Sequence, residues 1–262
     1  MATVYTLPKK LHPNFSVSGK KPVGQVEIDR TNPLTDGLWL VQLFNDRHEP
    51  ITKTLGNFQS GADIDVDWGD KILKMDGSTT GPTWTGRNAP QNFTVLGEAY
   101  YTSGTVDHAL FDVNDQQIVI WADTFSSQLR TSVFAGSSRV GATGGLALNQ
   151  WVKWGASVDG VSNTARIYID GELETSGGMG TNTWESHDEI AIGSNYSAAG
   201  KYTSGGYKWV YVWDRVLSDD EIRSINEDPY QIFKPETPIH LLISGAPPAT
   251  DTAKNLLLMG VG

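Results

Sequence analysis

Residues Trp151 to Glu174, WVKWGASVDGVSNTARIYIDGELE, constrain the fold of this chain more than any other segment. Every second residue of its first part is apolar: Val152, Trp154, Ala156 and Val158. This period of two indicates a strand whose two faces meet different surroundings. After a second alternating run, the pair Asp170-Gly171 suits the two positive-φ positions of a type I′ hairpin turn. We therefore predict antiparallel strands joined by short turns.

The composition agrees with one large β domain. The 262 residues include 28 glycines, nine tryptophans and nine tyrosines. Large rings pack well on pleated sheets, and glycine supplies the backbone freedom of tight turns. The chain has no cysteine, which excludes disulfides and thiolate metal sites.

The charge argues against two classes of partner. The formal net charge is −10 at pH 7, and no stripe of lysine or arginine interrupts it. Such a chain repels the phosphate backbone, so we predict no nucleic-acid partner. No segment approaches the roughly 20 consecutive apolar residues of a membrane span, so none is predicted.

Five segments carry a family resemblance, and the one from Trp151 to Glu174 is the strongest. The others are Ile72–Gly77 (ILKMDG), Phe93–Tyr101 (FTVLGEAYY), Glu189–Gly193 (EIAIG) and Gly206–Ile222 (GYKWVYVWDRVLSDDEI). Together they resemble the laminin-G-like jelly rolls of the concanavalin A-like lectin/glucanase superfamily. The resemblance implies an all-β fold, a two-sheet antiparallel jelly-roll sandwich.

One short helix is expected near the end of the domain. Ser218 and Glu221 have the spacing of a capping box, with Ser218 as N-cap. Asp219 and Asp220 suit the positive N-terminal end of the helix dipole. Asp228-Pro229 would stop the helix, so we predict it over residues 219–227.

The chain is expected to have three parts: an N-terminal arm (1–29), a jelly-roll domain (30–235) and a C-terminal arm (236–262). The N-terminal arm has no sustained periodicity, and both an extended arm and a disordered tail remain open. The C-terminal arm holds two apolar groups, residues 239–243 and 256–259. They would pack on the domain or donate a strand to a neighbour's sheet edge.

The resemblance and the arms suggest a function. Val26–Asp46 resembles the opening of jelly-roll proteins encoded in tailed-phage genomes. Pro8 and Pro13 interrupt the N-terminal segment, so no signal peptide is expected. We therefore expect a non-enzymatic virion structural protein, in the capsid decoration, a head fibre or the tail. It would be a homo-oligomer that contacts other virion proteins through its arms and displays a lectin-like domain able to bind glycans. The alternatives are a stand-alone carbohydrate-binding module and a glycoside hydrolase.

An alternating acidic run, Asp63, Asp65 and Asp67, offers one set of candidate site residues. Paired carboxylates serve glycoside hydrolysis, and carboxylate oxygens suit calcium. All three are aspartates in an early connecting segment, so we interpret the run as a solvated acidic loop. No catalytic residue is assigned, no cofactor is expected, and calcium remains the one metal considered.

Aromatic residues in loops form the second set. Trp184, Tyr196 and Tyr202 lie in connections rich in glycine, serine and asparagine. The resemblance implies that such rings can stack on sugars. The alternative interpretation is that they cover the core beneath long loops.

Overall fold

The computed structural model describes residues 3–6, 21–22, 26–44, 62–67, 70–77, 81–84, 90–102, 108–113, 118–125, 128–135, 138–141, 147–179, 190–194, 203–235 and 240–243. The strands are β1 Thr3–Thr6, β2 Val26–Ile28, β3 Leu38–Gln42, β4 Ala62–Asp67, β5 Asp70–Asp76, β6 Thr83–Trp84, β7 Asn92–Tyr101, β8 His108–Val113, β9 Ile118–Phe125, β10 Gln128–Ala135, β11 Ser138–Gly141, β12 Trp151–Asp159, β13 Thr164–Ile169, β14 Glu172–Gly178, β15 Ile190–Ile192, β16 Ser204–Trp213, β17 Phe233–Pro235 and β18 His240–Ile243. Helix α1 spans Asp219–Glu227, and Pro33–Thr35 forms a 3-10 turn.

Two large sheets make up the domain. One has the strand order β14-β13-β12-β7-β16-β5-β4, and β3 pairs with the C-terminal half of β16 beside β5. The other has the order β11-β10-β9-β8-β15-β6. The paired strands of both sheets run antiparallel. The predicted two-sheet antiparallel jelly-roll sandwich with one short helix is confirmed.

The main core lies between the two sheets. Phe93 of β7 meets Phe111 of β8, with ring centroids 6.2 Å apart. The predicted apolar row of β12 lies in this core: Val152, Trp154, Ala156 and Val158. The hairpin turn after β13 is also as predicted, because Asp170 and Gly171 have φ values of 50° and 87°. Alternation and turn chemistry therefore established this part of the fold correctly.

A second core covers the outer face of the eight-stranded sheet, the face turned away from the six-stranded sheet. Trp209, Tyr211 and Trp213 of β16 form an aromatic row there. Ile222 and Ile225 of α1 pack against this face and are fully buried. The helix thus occupies the predicted residues and turns its apolar side to the sheet. No helix in the described part of the chain is long and apolar enough to cross a membrane.

The predicted capping box holds the start of α1. The Glu221 backbone amide donates to Ser218 Oγ at 3.3 Å, and the Ser218 amide donates to Glu221 Oε2 at 2.8 Å. Arg215 adds a bidentate ion pair to the same carboxylate, at 2.6 and 3.1 Å. Glu221 therefore connects the end of β16 to the helix.

Both terminal segments take part in strand pairing. Thr3–Thr6 pairs antiparallel with His240–Ile243 as a two-stranded ribbon, and Val26–Ile28 pairs with Phe233–Pro235. The buried Lys21 donates from Nζ to the carbonyl oxygen of Lys208 at 2.9 Å. The N-terminal segment therefore lies against the domain at Lys21, well before residue 30.

Glu221 gives the fold a predictable response to acid. Its hydrogen bonds from Arg215, and then those from Ser218, lower its pKa from 4.5 to about 2. A folded-state pKa below the unfolded one gives stability that is present above about pH 4.5 and lost as the pH falls toward 2. Glu221→Gln should lower the free energy of unfolding at pH 7 by about 1 kcal/mol and flatten its decline below pH 4.5. Chemical denaturation at a series of pH values measures both effects.

The matched control is Glu227→Gln, an exposed glutamate in the last turn of the same helix. This variant should keep the wild-type pH profile. A Glu221→Gln protein that loses stability in acid as steeply as the wild type would contradict the role assigned to this carboxylate.

Candidate functional site

The outer face of the eight-stranded sheet carries two aromatic rings beyond the part that α1 covers. Tyr100 of β7 and Trp151 of β12 are directly opposite each other in the strand register. Their ring centroids lie 5.6 Å apart with an interplanar angle of 48°. Both residues are half-buried, so each ring keeps part of its surface open to solvent.

A buried ion pair supports these rings. Lys208 Nζ lies 4.4 Å from the centroid of the Trp151 ring and 2.7 Å from Glu98 Oε1. Trp209 Nε1 donates to the other carboxylate oxygen of Glu98 at 3.1 Å. The Lys208 and Glu98 side chains are only 18% and 11% exposed. The Glu98 carboxylate is thus held by two donors at once.

A β-bulge places Lys208 in this position. The pairing of β16 with β7 moves from Tyr207 opposite Ala99 to Trp209 opposite Glu98, which leaves Lys208 as the extra residue. A bulge of this kind changes the face to which the following side chains point. The carbonyl oxygen of Lys208 accepts a hydrogen bond from the buried Lys21 ammonium group, so a segment far away in sequence stabilises the bulge.

A groove of about 250 Å³ runs beside the Tyr100 ring. We call it the Tyr100 groove and define it by the residues that line it: Ile72, Lys74, Met75, Asp76, Tyr100, Thr102, Ser204 and Gly205. The Trp151 ring is close to the neighbouring strand β16, because a Cβ added to Gly206 would lie 3.5 Å from Trp151 Cη2. Thr102 Oγ1 and Ser204 Oγ are hydrogen-bonded at 2.8 Å across the groove end.

The lining of the Tyr100 groove suits a ligand with many hydroxyl groups. Aromatic faces carry partial negative charge and attract the C–H groups of a sugar ring. Lysine donates hydrogen bonds, aspartate accepts them, and the two hydroxyls do both. A few such polar groups around an apolar surface are typical of small-molecule sites.

A larger cleft, of about 490 Å³, lies at the opposite end of β16. Its lining includes Arg30, Asp36, Trp39 and Asp214, around the 3-10 turn. Trp213 Nε1 donates to the Leu34 carbonyl at 2.7 Å and fastens this turn to the sheet. The cleft has one half-buried indole and lacks the paired rings of the Tyr100 groove.

The predicted site residues fall outside or at the margin of this geometry. Trp184, Tyr196 and Tyr202 lie outside the described residues, so their role in glycan binding stays a prediction. Asp63, Asp65 and Asp67 lie in β4, and the interpretation of this run as a loop is wrong.

The acidic run forms an edge strand because charges are tolerated, and even useful, where a sheet ends. Position 63 pairs with Lys74 and position 65 with Ile72, both residues of the Tyr100 groove. The side chains of β4 are outside the described set. Among the side chains that are described, no cluster of three or more histidines, aspartates or glutamates could hold a metal ion.

The sequence interpretation missed Tyr100, Trp151 and Lys208. A signal existed for the first two, because each lies on the alternate face of a strand whose other face is continuously apolar. An aromatic residue on that second face is exposed unless something covers it. No sequence signal showed that these residues are neighbours, since 51 positions separate Tyr100 from Trp151.

Gly205 is essential to the shape of the groove. Its φ is +152°, and a Cβ there would lie 1.8 Å from the Tyr100 carbonyl oxygen. Gly205→Ala should therefore push β16 from β7 and destabilise the protein by about 2 kcal/mol or more. Gly178→Ala is the control, because its nearest atom would be 4.0 Å away. Thermal unfolding of both variants tests this, and equal melting temperatures would contradict it.

Comparisons with known proteins agree with this geometry. A laminin-G family model, described as the concanavalin A-like lectin/glucanases superfamily, matches residues 76–223, more than half of the chain. No curated protein matches the chain in sequence.

Similar solved structures share the fold at low identity. Domain 4 of AbnA, an extracellular GH43 arabinanase from Geobacillus stearothermophilus solved with arabinotriose, is 13% identical with a TM-score of 0.55, covering 78% of this chain and 100% of that chain. The heptameric SAP-like pentraxin from Limulus polyphemus is 14% identical with a TM-score of 0.52, and the match covers 69% of this chain and 95% of the pentraxin chain. A Trypanosoma rangeli sialidase solved with sialic acid is 14% identical with a TM-score of 0.57, over 75% of this chain but 33% of its own. The chain belongs to the laminin-G-like family of the concanavalin A-like lectin/glucanase superfamily.

Proposed function

We propose that this chain is a non-enzymatic structural protein of a tailed-phage particle and that its lectin-like domain binds glycans through the Tyr100 groove. The observation that carries the glycan part is the pairing of Tyr100 with Trp151 beside a groove with both apolar and polar lining residues. The paired rings offer sugars an apolar surface, and Lys74, Asp76 and Thr102 offer hydrogen bonds.

A structural neighbour supports a sugar ligand. The arabinanase domain that shares this fold was solved with arabinotriose, a short neutral oligosaccharide. That ligand belongs to the neighbour, and at 13% identity its contacts cannot be transferred residue by residue. It supports the proposal only by its chemistry, which is of the kind that the Tyr100 groove can accommodate.

The same groove favours binding over hydrolysis. Glycoside hydrolysis normally uses two carboxyl groups on either side of the scissile bond, about 5–9.5 Å apart. Among the residues that line the Tyr100 groove, Asp76 is the one carboxylate. Glu98 is near but already accepts hydrogen bonds from Lys208 and Trp209. We therefore propose a binding role without catalysis at this site.

The terminal segments support attachment to a particle. Thr3–Thr6 and His240–Ile243 pair with each other, so the two ends of the chain meet in one ribbon. An isolated two-stranded ribbon is only marginally stable in water and gains from packing against a partner. The phage resemblance of residues 26–46 indicates what that partner would be, other virion proteins. Many copies on one particle would raise a weak glycan affinity through avidity.

Ring truncation tests the glycan site. Trp151→Ala and Tyr100→Ala should each weaken binding by roughly 1–3 kcal/mol, the value of an aromatic ring that stacks on a flat ligand. A glycan array identifies the ligand, and calorimetry then measures the affinities of the variants. Tyr100→Phe keeps the ring and should keep most of the affinity.

Leu173→Ala is the control for these substitutions, because Leu173 is 44% exposed on the edge strand β14. It should bind as the wild type does. Unchanged affinity in both alanine variants, with folding intact, would show that any glycan binds elsewhere. An array without any binding would reject the glycan part of the proposal.

Removal of the ribbon tests the particle role. Deleting residues 1–6, or residues 240–262, removes one strand of the ribbon and leaves Lys21 and β17 in place. Each truncated protein should keep the melting temperature of the domain and fail to copurify with phage particles. Mass spectrometry of purified particles measures how many copies of each truncated protein they carry. Trp151→Ala is the matched control, since it should lose glycan binding and still join the particle. Truncated proteins at full occupancy would contradict anchoring through the ribbon.

A further inference from the structure

The charges around the Tyr100 groove cancel in pairs. Lys74 and Asp76 line the groove itself, one of each sign. The Lys208 ammonium lies over the Trp151 ring, and Glu98 neutralises it at 2.7 Å. No arginine is among the side chains that line the groove in the described structure. The site therefore offers a ligand an apolar surface and hydrogen bonds without an excess positive charge.

We propose that the Tyr100 groove selects neutral glycans over acidic ones and that Glu98 is the residue that enforces this selection. This inference rests on the proposed glycan-binding function. Glu98 acts by forming an ion pair with the ammonium group of Lys208. Without this pair, a sugar carboxylate near Trp151 would bind that ammonium group. Glu98 is thus a specificity-determining residue that acts through another residue.

The geometry makes this ammonium group difficult to recruit. An acidic sugar could pair with Lys208 only by separating it from Glu98, whose side chain is 11% exposed. The Glu98 carboxylate would then keep the Trp209 indole as its remaining donor. A buried carboxylate that loses its charged partner is strongly disfavoured. The exchange therefore costs more than a new ion pair at the groove would return.

Lys208 also has little freedom to turn toward the groove. Lys208 is the extra residue of the bulge, and its carbonyl oxygen accepts a hydrogen bond from the buried Lys21 ammonium group. The ammonium group of the side chain lies over the Trp151 ring, 4.4 Å from its centroid. The formal net charge of −10 adds a general repulsion toward anionic ligands.

The shared fold does not decide this selectivity. The Trypanosoma rangeli sialidase that was solved with sialic acid matches this chain over only 33% of its own length, so its ligand, a sugar that carries a carboxylate, is not assigned to the shared part of the fold. Proteins usually recognise a carboxylate with arginine in a bidentate arrangement or with an unpaired lysine. No arginine lines the Tyr100 groove, its one lining lysine, Lys74, shares the lining with Asp76 of opposite charge, and the nearby Lys208 of the bulge is already paired with Glu98.

Matched glycan pairs test the proposal with the full-length protein. The probes are lactose with 3′-sialyllactose and xylotriose with its glucuronic-acid-substituted form, each immobilised at equal density. For at least one pair, the wild type should bind the neutral member at least tenfold more tightly than the acidic member. Equal or tighter binding of the acidic members would overturn the selection and leave the glycan-binding function intact. Failure to bind any member, together with a blank array of neutral and acidic glycans, would reject the underlying function instead.

A charge variant tests the role of Glu98. Glu98→Gln is nearly isosteric, keeps an acceptor for Trp209 and releases the charge of Lys208. It should bind the acidic members about tenfold more tightly than the wild type does, with neutral binding changed less than threefold. The gain should shrink as salt rises from 50 to 500 mM, because it comes from charge attraction.

Two further variants complete the test. Glu174→Gln changes the net charge by the same amount at an exposed position of β14 and should leave every affinity unchanged. A gain there equal to that of Glu98→Gln would show a general charge effect and overturn the assignment. Asp76→Asn removes one negative charge from the groove lining and leaves the Lys208–Glu98 pair unchanged. It replaces Glu98→Gln in the test if Glu98→Gln does not fold. Acidic binding that stays unchanged in folded Glu98→Gln, or in folded Asp76→Asn where Glu98→Gln does not fold, would overturn the proposal.

Discussion

The burial of β16 on both of its faces is the constraint on which the rest of the structure depends. Tyr207, Val210 and Val212 lie in the core between the sheets, whereas Trp209, Tyr211 and Trp213 lie in the core beneath α1. The strand pairs with β7 along one side and with β5 and β3 along the other. A strand with this much apolar surface on both faces is stable only at the centre of a sheet with layers on either side. The sandwich and the helix that covers its outer face are both consequences of this one segment.

The bulge within β16 connects the fold to the candidate site. Tyr207 and Trp209 are two positions apart and would share a face in a regular strand. The extra residue at Lys208 separates them, so the Tyr207 ring lies between the sheets and the Trp209 ring lies under the helix. The same irregularity brings Lys208 over the Trp151 ring and next to Glu98. The packing of the aromatic row and the charge balance of the groove are therefore set by a single backbone feature.

Local patterns predicted the elements of this fold well, because their causes are local. The turn at Asp170-Gly171 and the capping box at Ser218 and Glu221 depend on residues within a few positions of each other. The acidic run of β4 shows where such reasoning failed. Its alternation is visible in the sequence, but its place before the Ile72–Gly77 strand favours a connecting loop. At the edge of a sheet, charged residues are compatible with a strand because one side of the strand has no partner.

The candidate site was beyond local reasoning, because three distant strands create it. Tyr100, Trp151 and Lys208 become neighbours only through the register of β7 with β12 and with β16, and the bulge leaves no mark in the hydrophobic pattern. Lengths explain why helix α1 does not cover this part of the outer face. A ten-residue strand extends about 33 Å, whereas the nine residues of α1 extend about 14 Å. The helix and residues 230–233 cover the aromatic row toward the C-terminal end of β16, and they are too short to reach its N-terminal end. Among the described residues, the two half-buried rings at that end are therefore supported by the sheet and lie beyond the reach of the helix, which is the arrangement that the proposed flat ligand requires.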